Sequence, residues 1–306
     1  MKVAILGRTE ILYDSAILLR KHGHEVVCIV TGVDRPEYQR TAEDFAQLAK
    51  SWNIPFRKVI AISSARKLLR DSGADIGISV NYPTIIPGEI IDIFPHGILN
   101  AHGGDLPRYR GNACQAWAIL NGEERIGLCI HKMIGGELDS GDIVVRDYFP
   151  VTRSTKITDV WNWMIQRTPK LFLDAALKLA DNSRYFLEKQ STNARETLRC
   201  YPRHPEDGRI EWNLSALTIL RLINASNKPY AGAFCTFENA KCIVWDAELV
   251  SEAENFCAVP GQVTKIGSDW IEVACGQGKL RILSVEYKGE ISNPAAIVKS
   301  NRQRLS

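Results

Sequence analysis

The sequence predicts an α/β protein, with a Rossmann-like, doubly wound and mostly parallel sheet followed by a smaller C-terminal β-barrel of OB-like type. Apolar runs alternate with stretches of helical periodicity through the first 180 or so of the 306 residues, as in doubly wound sheets. A polar stretch rich in proline and charge, residues 201–208, then breaks this pattern. Beyond it, short β-type runs recur at about 8 to 12 residue spacing with glycine turns, which is typical of a small barrel.

The N-terminal elements follow one another as strands and helices in turn. The first apolar run ends at Gly7 and is followed by a segment with apolar residues at helical spacing. A lone glycine in this turn does not make a dinucleotide fingerprint, which needs three at fixed offsets, so we expect no bound NAD. Ser63 or Ser64 is the expected cap of the third helix. The predicted strands are residues 2–7, 25–32, 56–59 and 76–80, and the predicted helices are 10–22, 42–52 and 63–69.

The next predicted strand, residues 98–102, ends in polar side chains. A period of two places Asn100 and His102 on one face of it, at its carboxyl end, where ligands bind in open parallel sheets. Asp139 follows in a turn-rich loop, residues 135–142, between two further strands. The remaining predictions for this half are helices over 112–121 and 156–181 and strands over 127–133 and 143–145.

The chain is long enough for two domains, since one domain commonly has about 100 to 200 residues. The stretch between residues 187 and 205 loses its periodicity and is the best linker. We therefore predict a catalytic domain over residues 1–203 and a barrel domain over residues 204–306. The barrel domain is predicted to hold a helix over 216–226 and strands over 232–237, 242–245, 261–266, 270–275 and 280–285.

Composition and charge argue against several classes of protein. A net charge of +3 and a pI near 8.4 are mild for a nucleic-acid binder. No run of about 18 apolar residues is present, and the N-terminal apolar run is too short for a signal peptide, so we expect a cytoplasmic protein without a membrane segment. The eight cysteines have no ligand-like spacing with the histidines, and we expect them to be buried, reduced thiols rather than a metal site.

Asn100, His102 and Asp139 supply an amide, an imidazole and a carboxylate. A transferase that moves an acyl carbon between two nitrogens needs a donor for the developing oxyanion, a base for the amine proton and a group that orients the base. The spacing alone leaves open an alternative in which both residues have only structural roles, with His102 at a sheet edge as a cap and Asp139 in an Asx turn. The residue types alone therefore do not decide between the two readings.

Several motifs in fixed order resemble the N10-formyltetrahydrofolate-dependent formyltransferases. The resemblance spans most of the chain, since it includes both halves. The motifs that carry it are Asn100-Ala101-His102-Gly103-Gly104-Asp105-Leu106-Pro107-Arg108-Tyr109-Arg110-Gly111, Leu138-Asp139-Ser140-Gly141-Asp142 and Ile85-Ile86-Pro87 in the first half, with residues 201–212 and 227–234 in the second.

This resemblance implies transfer of formyl from N10-formyltetrahydrofolate to a substrate amine, with no metal. It implies that Asn100 holds the formyl oxygen, that His102 acts as base or stabilises the tetrahedral intermediate, and that Asp139 orients His102. It also implies a folate site that uses mainly backbone groups of two segments. The predicted folate residues are Tyr82, Ile85, Ile86, Pro87, Met133 and Gly136.

One departure from the family pattern lies next to the histidine. The family usually carries Ser-Leu where this chain has Gly104-Asp105. Near the expected entry of the amine, the Asp105 carboxylate is a candidate to bind an ammonium group or a sugar hydroxyl. The alternative is a solvated turn residue.

The acceptor amine is the open question. The second half looks closer to sugar N-formyltransferases, which act on nucleotide-linked amino sugars for surface polysaccharides such as the O-antigen of lipopolysaccharide. In that reading Arg203, Asn227, Lys228 and Tyr230 contact the nucleotide, and the alternative is that they are ordinary linker and turn residues. Methionyl-tRNA formyltransferase is the second candidate, although the loop over residues 32–40 balances two acids against two arginines, a poor phosphate clamp.

Two further functions stay open. One is formylation of an amino acid or hydroxyornithine, and the other is a folate-binding protein without catalysis, against which the intact Asn100, His102 and Asp139 argue. A homodimer is possible, and neither the sugar, the amine position nor the base of the nucleotide follows from the motifs.

Overall fold

The computed structural model describes residues 1–35, 38–181, 187–250 and 255–306. The chain forms two compact units. The first consists of Met1–Cys114, Ile126–Phe149 and Trp161–Cys200, and the second of Gln115–Arg125, Pro150–Val160 and Tyr201–Ser306. The two short segments of the second unit, 115–125 and 150–160, interrupt the first unit in the sequence, and no pattern in the sequence indicated them. The division at 203/204 stays a prediction.

The first unit contains a seven-stranded sheet, which confirms the predicted doubly wound class. Its order is β3-β2-β1-β4-β5-β7-β8, and the four pairings among β1 to β5 are parallel. β5 pairs with β7 in antiparallel orientation. The strands are β1 (Lys2–Gly7), β2 (Glu25–Thr31), β3 (Phe56–Lys58), β4 (Ile76–Val80), β5 (Ile98–His102), β7 (Arg125–Lys132) and β8 (Ile143–Pro150).

Burial explains why the central strands are apolar throughout. All five residues of β4 are buried, as are five of the six in β1, because helices cover both faces of a doubly wound sheet. The helices that begin in this part of the chain are α1 (Glu10–Lys21), α2 (Ala42–Trp52), α3 (Arg66–Asp71), α4 (Gly88–Ile91), α5 (Cys114–Asn121) and α6 (Ile157–Asp181).

Two predicted helix starts are wrong. Ser63 and Ser64 do not cap α3, because they lie within a 3-10 helix, Ile62–Ala65, that runs directly into it, and the N-cap position is Ala65, which has no capping side chain. α5 begins at Cys114 rather than at residue 112. The reason is that β6 (Arg110–Gly111) pairs with β9 (Arg199–Cys200), and the Asn112 N–H continues this ladder to the Cys200 carbonyl at 3.2 Å.

The second unit contains a six-stranded antiparallel sheet, as predicted for the small barrel. Its order is β10-β11-β14-β13-β12, and β15 pairs with β14. The last residues bridge its two edges, since Thr236 of β10 exchanges two backbone hydrogen bonds with Ser306 and the Leu305 N–H donates to the Gly261 carbonyl. The elements are α7 (Ala216–Ala225), β10 (Ala233–Phe237), β11 (Ala240–Leu249), β12 (Val263–Ile266), β13 (Ile271–Ala274), β14 (Lys279–Tyr287) and β15 (Glu290–Ser292).

The thiols are unpaired in the described part of the chain. All eight cysteines are free, and every one except Cys257 is buried. No helix within the described ranges is both long enough and apolar enough to cross a membrane.

Candidate active site

β5 positions the first two predicted site residues. Asn100 and His102 lie two residues apart at its carboxyl end, and His102 is only 7% exposed. The antiparallel register with β7 places His131 directly opposite Asn100. One strand end and its neighbour therefore bring an amide and two imidazoles together.

Asp139 joins these groups from the loop between β7 and β8. Its backbone has a left-handed φ of 49°, which is uncommon outside glycine and asparagine-like residues in turns. Its Oδ2 lies 3.4 Å from His102 Nδ1 and accepts the Gly111 N–H at 3.1 Å, and its Oδ1 lies 3.5 Å from His131 Nε2. The three residues predicted from the sequence thus meet, and a second histidine is added to them.

These neighbours keep the carboxyl group ionised. Burial by itself raises the pKa of Asp139, but the charge of His102, the hydrogen bond and charge of His131 and the Gly111 N–H outweigh it. Together they lower the pKa of Asp139 to about 2. Asp139 is therefore a carboxylate at any pH near neutrality.

Asp139→Asn is expected to lower the free energy of unfolding by about 2 kcal/mol at neutral pH, because one pKa unit corresponds to about 1.4 kcal/mol. A carboxyl whose pKa falls on folding stabilises the protein above its unfolded pKa, about 4, and loses this effect as the pH falls through the folded value, about 2. Urea unfolding of wild type and variant should give a difference that shrinks below about pH 4. A difference that stays constant across the acidic range would contradict the assigned ionisation.

The second ring nitrogen of His102 is also engaged. Its Nε2 lies 2.6 Å from the Tyr109 carbonyl oxygen, and because a carbonyl only accepts, Nε2 carries the proton and donates. A neutral ring would then turn its Nδ1 lone pair toward the Asp139 carboxylate, whereas the imidazolium donates on both sides. Both ring nitrogens of His102 therefore face a fixed group, Nε2 the backbone and Nδ1 the Asp139 carboxylate.

The glycine at position 104 has a steric cause. A Cβ there would lie 2.1 Å from the Tyr109 carbonyl oxygen and 2.6 Å from His102 Nε2. No side chain fits while this hydrogen bond exists. Gly104, one half of the departure from the family pattern, is thus required by the position of His102.

His131 is a site residue that the sequence reasoning missed. Its Nδ1 donates to the Lys132 carbonyl at 2.9 Å, and its Nε2 lies 3.3 Å from Asn100 Nδ2. A neutral ring accepts the Asn100 N–H, and a protonated ring donates to Asp139. The histidine was visible within a predicted strand, but only the register between β5 and β7 shows that it faces Asn100.

Gln190 was missed as well, and no signal in the sequence could have found it. Its Nε2 donates to the Asp139 carbonyl at 2.9 Å and to the Gly141 carbonyl at 2.7 Å. Its Oε1 accepts the Arg110 guanidinium at 3.1 Å. One amide therefore binds both sides of the turn that carries Asp139.

Gln190→Glu is expected to loosen this turn, because it keeps an acceptor for Arg110 but removes both N–H donors. Losing two hydrogen bonds costs about 1 to 3 kcal/mol, so the loop should exchange its amide hydrogens faster and kcat should fall by about tenfold. Hydrogen exchange of residues 137–141 and steady-state kinetics measure this. Lys189→Ala, an exposed neighbour, is the control, and equal exchange in both variants would contradict the role of Gln190.

Comparison with known proteins identifies the family. A family model described as formyl transferase matches residues 1–176, and one described as the formyl transferase C-terminal domain matches residues 203–302. The chain belongs to the formyl transferase family. The resemblance seen in its motifs is thereby confirmed, and with it the interpretation of this protein as an enzyme.

Relatives of this formyl transferase differ in what their names say they act on. A methionyl-tRNA formyltransferase of Solibacter usitatus is 30% identical over 315 residues, which covers 100% of this chain and 97% of the relative. The N-formyltransferase of Helicobacter canadensis, solved with folinic acid and dTDP-3-aminofucose, is 18% identical, with a TM-score of 0.70 over 92% of this chain and 99% of that one. HypX from Aquifex aeolicus, solved with tetrahydrofolic acid, is 18% identical, with a TM-score of 0.62 over 98% of this chain and 47% of that one. The two solved structures show a shared fold.

The two segments predicted to bind folate lie against each other in this formyl transferase. A Cβ on Gly135 would lie 2.4 Å from the Gly88 Cα, so the backbones of the two segments touch. Ile85 is 56% exposed, whereas Ile86 is fully buried. The Tyr82 hydroxyl is buried without a hydrogen-bond partner, and burial raises its pKa to about 12.

The remaining members of the folate set are placed as follows. Pro87 precedes α4 as its N-cap residue, and Met133 packs against the core at the end of β7. Gly136 is exposed, with a φ of 79°. Contact of these residues with folate stays a prediction.

Asp105 is held by a protein cation. Its Oδ1 lies 2.8 Å from Arg146 Nη1, and the same guanidinium also pairs with Glu188. The residue is thus neither a solvated turn residue nor a carboxylate without a partner. Its contact with an acceptor stays a prediction.

The four predicted nucleotide contacts lie in the second unit, where two of them are bonded within the protein. Arg203 donates to the Ala225 and Asp207 carbonyls and to the Ser226 hydroxyl. Asn227 donates to the Trp245 carbonyl at 2.7 Å.

The other two are more open. Lys228 places its Nζ 5.2 Å from the Trp245 ring centroid, and Tyr230 is 41% exposed. The bonds of Arg203 and Asn227 are those of turn and helix-end residues, and a nucleotide contact of any of the four stays a prediction.

Across the described ranges, no group of three or more histidine, cysteine, aspartate or glutamate side chains could hold a metal ion.

Proposed function

We propose that this formyl transferase moves the formyl group of N10-formyltetrahydrofolate to the amine of a nucleotide-linked amino sugar. The observation that carries formyl transfer is the cluster at the carboxyl end of β5, in which His102 lies 3.4 Å from Asp139 and His131 links Asn100 to Asp139. The two similar structures solved with folinic acid and with tetrahydrofolic acid support a folate donor. The first of these also contains dTDP-3-aminofucose, which supports a sugar acceptor.

The residues present fit the chemistry of this transfer. The acceptor nitrogen forms a bond to the formyl carbon, the bond from that carbon to N10 breaks, and the amine proton passes to N10. Between these events the formyl oxygen carries negative charge, which N–H donors stabilise. Asn100 has a second Nδ2 hydrogen free for this oxygen, and the positive charge of His102, balanced by Asp139, favours the same intermediate.

Positioning supplies much of the remaining rate. Holding an amine and a carbonyl carbon in line contributes about 7 to 11 kcal/mol to the lowering of a barrier. Two hydrogen bonds hold the carboxylate in one place: the Gly111 N–H donates to Asp139, and Gln190 donates to the loop that carries it.

The loop after β2 favours a small acceptor over tRNA. Asp34 pairs with Lys58 at 2.5 Å, and Arg40 pairs with Asp44 at 3.4 Å and packs on the Tyr13 ring. Pro36 and Glu37 of this loop lie outside the described residues. Within the described part of residues 32–40, Arg35 is the one basic side chain that enters neither of these two ion pairs. Binding of tRNA needs several phosphate contacts.

Methionyl-tRNA is the second candidate acceptor. The Solibacter usitatus relative, named for that activity, is 30% identical along the whole chain. A direct assay separates the two acceptors, since both release tetrahydrofolate.

Purified enzyme and N10-formyltetrahydrofolate are to be incubated with dTDP-, UDP- and GDP-linked amino sugars, with methionyl-tRNA and with hydroxyornithine. We expect tetrahydrofolate release with one class of amino sugar and none with the Asp139→Asn variant. Release with methionyl-tRNA alone would overturn the sugar acceptor, and release with none of them would favour a folate-binding protein without catalysis.

A further inference from the structure

A cleft of about 300 Å³ opens beside the catalytic carboxylate in the first unit. It is lined by Glu137, Leu138 and Ser140, which flank Asp139 in the sequence. The rest of the lining comes from β6 and β9 and the residues before β9, including Arg110 and Arg199. A ligand in this cleft therefore lies next to the site of formyl transfer.

The two arginines are neighbours across the short ladder. β6 and β9 pair in parallel with Arg110 directly opposite Arg199, and both residues line the cleft. Like charges at opposed positions repel each other, and this arrangement gains stability when an anion lies between them.

Arg110 has donors left over. Its Nη2 donates to Gln190, an uncharged amide, and its Nε is buried with no hydrogen-bond partner. No carboxylate within the described ranges forms an ion pair with it. A guanidinium is a rigid fork of N–H donors that matches phosphate and carboxylate oxygens.

Gly111 brings the second arginine close to the reacting centre. Its φ is 107°, and a Cβ there would lie 2.5 Å from the Cys200 carbonyl oxygen and 3.2 Å from Arg199 Nε. The Arg199 guanidinium thus packs against the glycine whose N–H binds Asp139.

Glu137, the acidic residue of the cleft lining, lies on the loop that carries Asp139. Glu137 accepts the Ser140 hydroxyl at 2.5 Å. The two guanidinium groups therefore outnumber the carboxylate in the cleft, and its charge favours an anionic ligand.

We propose that Arg110 and Arg199 form an oxyanion site that holds the charged end of one of the two substrates. This inference rests on the proposed folate-dependent transfer. The shared chemistry is a phosphate or carboxylate group, and it has two sources: the diphosphate of a nucleotide-linked acceptor or the glutamate carboxylates of the folate.

Binding measurements on the full chain separate the two sources. Isothermal titration of wild type, Arg199→Gln and Arg199→Lys is to use folinic acid, dTDP and inorganic pyrophosphate as probes. Arg195→Gln, an exposed arginine four residues away, is the matched control. A charge-assisted hydrogen bond is worth about 1.5 to 3 kcal/mol. Arg199→Gln should therefore raise the Kd of the ligand that uses this site by about 10- to 100-fold, and Arg199→Lys should raise it by less.

Weaker binding of folinic acid alone assigns the site to the donor. Weaker binding of dTDP and pyrophosphate alone assigns it to the acceptor. A change of less than about twofold for all three probes, or an equal change in Arg195→Gln, overturns the proposal, and so does a wild-type protein that binds none of them. If Arg199→Gln is unfolded by circular dichroism, the charge-retaining Arg199→Lys decides by the same criteria.

The failure of the proposed acceptor gives a different result. If no amino sugar is formylated while Arg199→Gln still weakens one probe, the acceptor is wrong and the oxyanion site stands.

Discussion

His102→Ala is expected to lower kcat by about 100- to 10,000-fold, which is the range for a positioned acid or base. The imidazole lies 3.4 Å from Asp139 and 2.6 Å from the Tyr109 carbonyl oxygen. The substitution removes the ring that joins these two groups and leaves Asp139 with His131 and the Gly111 N–H. Single-turnover formyl transfer with saturating N10-formyltetrahydrofolate measures the chemical step directly.

The control for this variant is His96→Ala, at the other end of the same strand segment, before β5 begins. It should keep wild-type kcat. Both variants should give a cooperative thermal transition, because the mutated positions lie at strand ends. Turnover within tenfold of wild type in His102→Ala would exclude the histidine from the chemical step.

Asn100→Ala is expected to lower kcat by about 100- to 1,000-fold with little change in KM, as the loss of one oxyanion donor does. The amide lies opposite His131 and within 3.3 Å of its Nε2. Its removal takes away the proposed donor to the formyl oxygen and leaves His131 Nε2 with Asp139 as its neighbour. The split between kcat and KM is the informative measurement, since a ground-state contact would raise KM instead.

Ala101→Ser is the matched control for Asn100→Ala. It lies on the same strand but its side chain leaves the opposite face, because successive residues of a strand alternate. We expect near wild-type kcat in Ala101→Ser. A fall in kcat of similar size in both variants would indicate a general disturbance of β5 and contradict the donor role of Asn100.

The site shows which contacts follow from local pattern. The period of two in β5 predicted that Asn100 and His102 share a face, and the turn signals around Asp139 predicted its loop. The cross-strand position of His131 depends on the register of β5 with β7, which joins residues 31 apart in the sequence. Gln190 is farther still, 51 residues from Asp139, in a stretch whose polar sequence predicts only a loop.

Errors in the prediction have the same origin. The expected cap at Ser63 or Ser64 was a reasonable local signal, and a 3-10 helix over Ile62–Ala65 replaced it. The start of α5 moved because residues 110–112 pair with residues 199 and 200, far along the chain. The membership of residues 115–125 and 150–160 in the second compact unit also depends on distant contacts, and the sequence around them did not indicate it.

The sequence by itself determined the alternation of strands and helices, the antiparallel second sheet, the family and the three residues of the candidate active site. Periodicity and motif are local properties, so they need no knowledge of which distant segments meet. Only the tertiary structure decided the partners of those residues: His131 and Gln190 around Asp139, the Tyr109 carbonyl on His102, and the two arginines brought together by β6 and β9. Each of these contacts joins segments that are far apart in the chain. It therefore forms only when the whole fold brings those segments together.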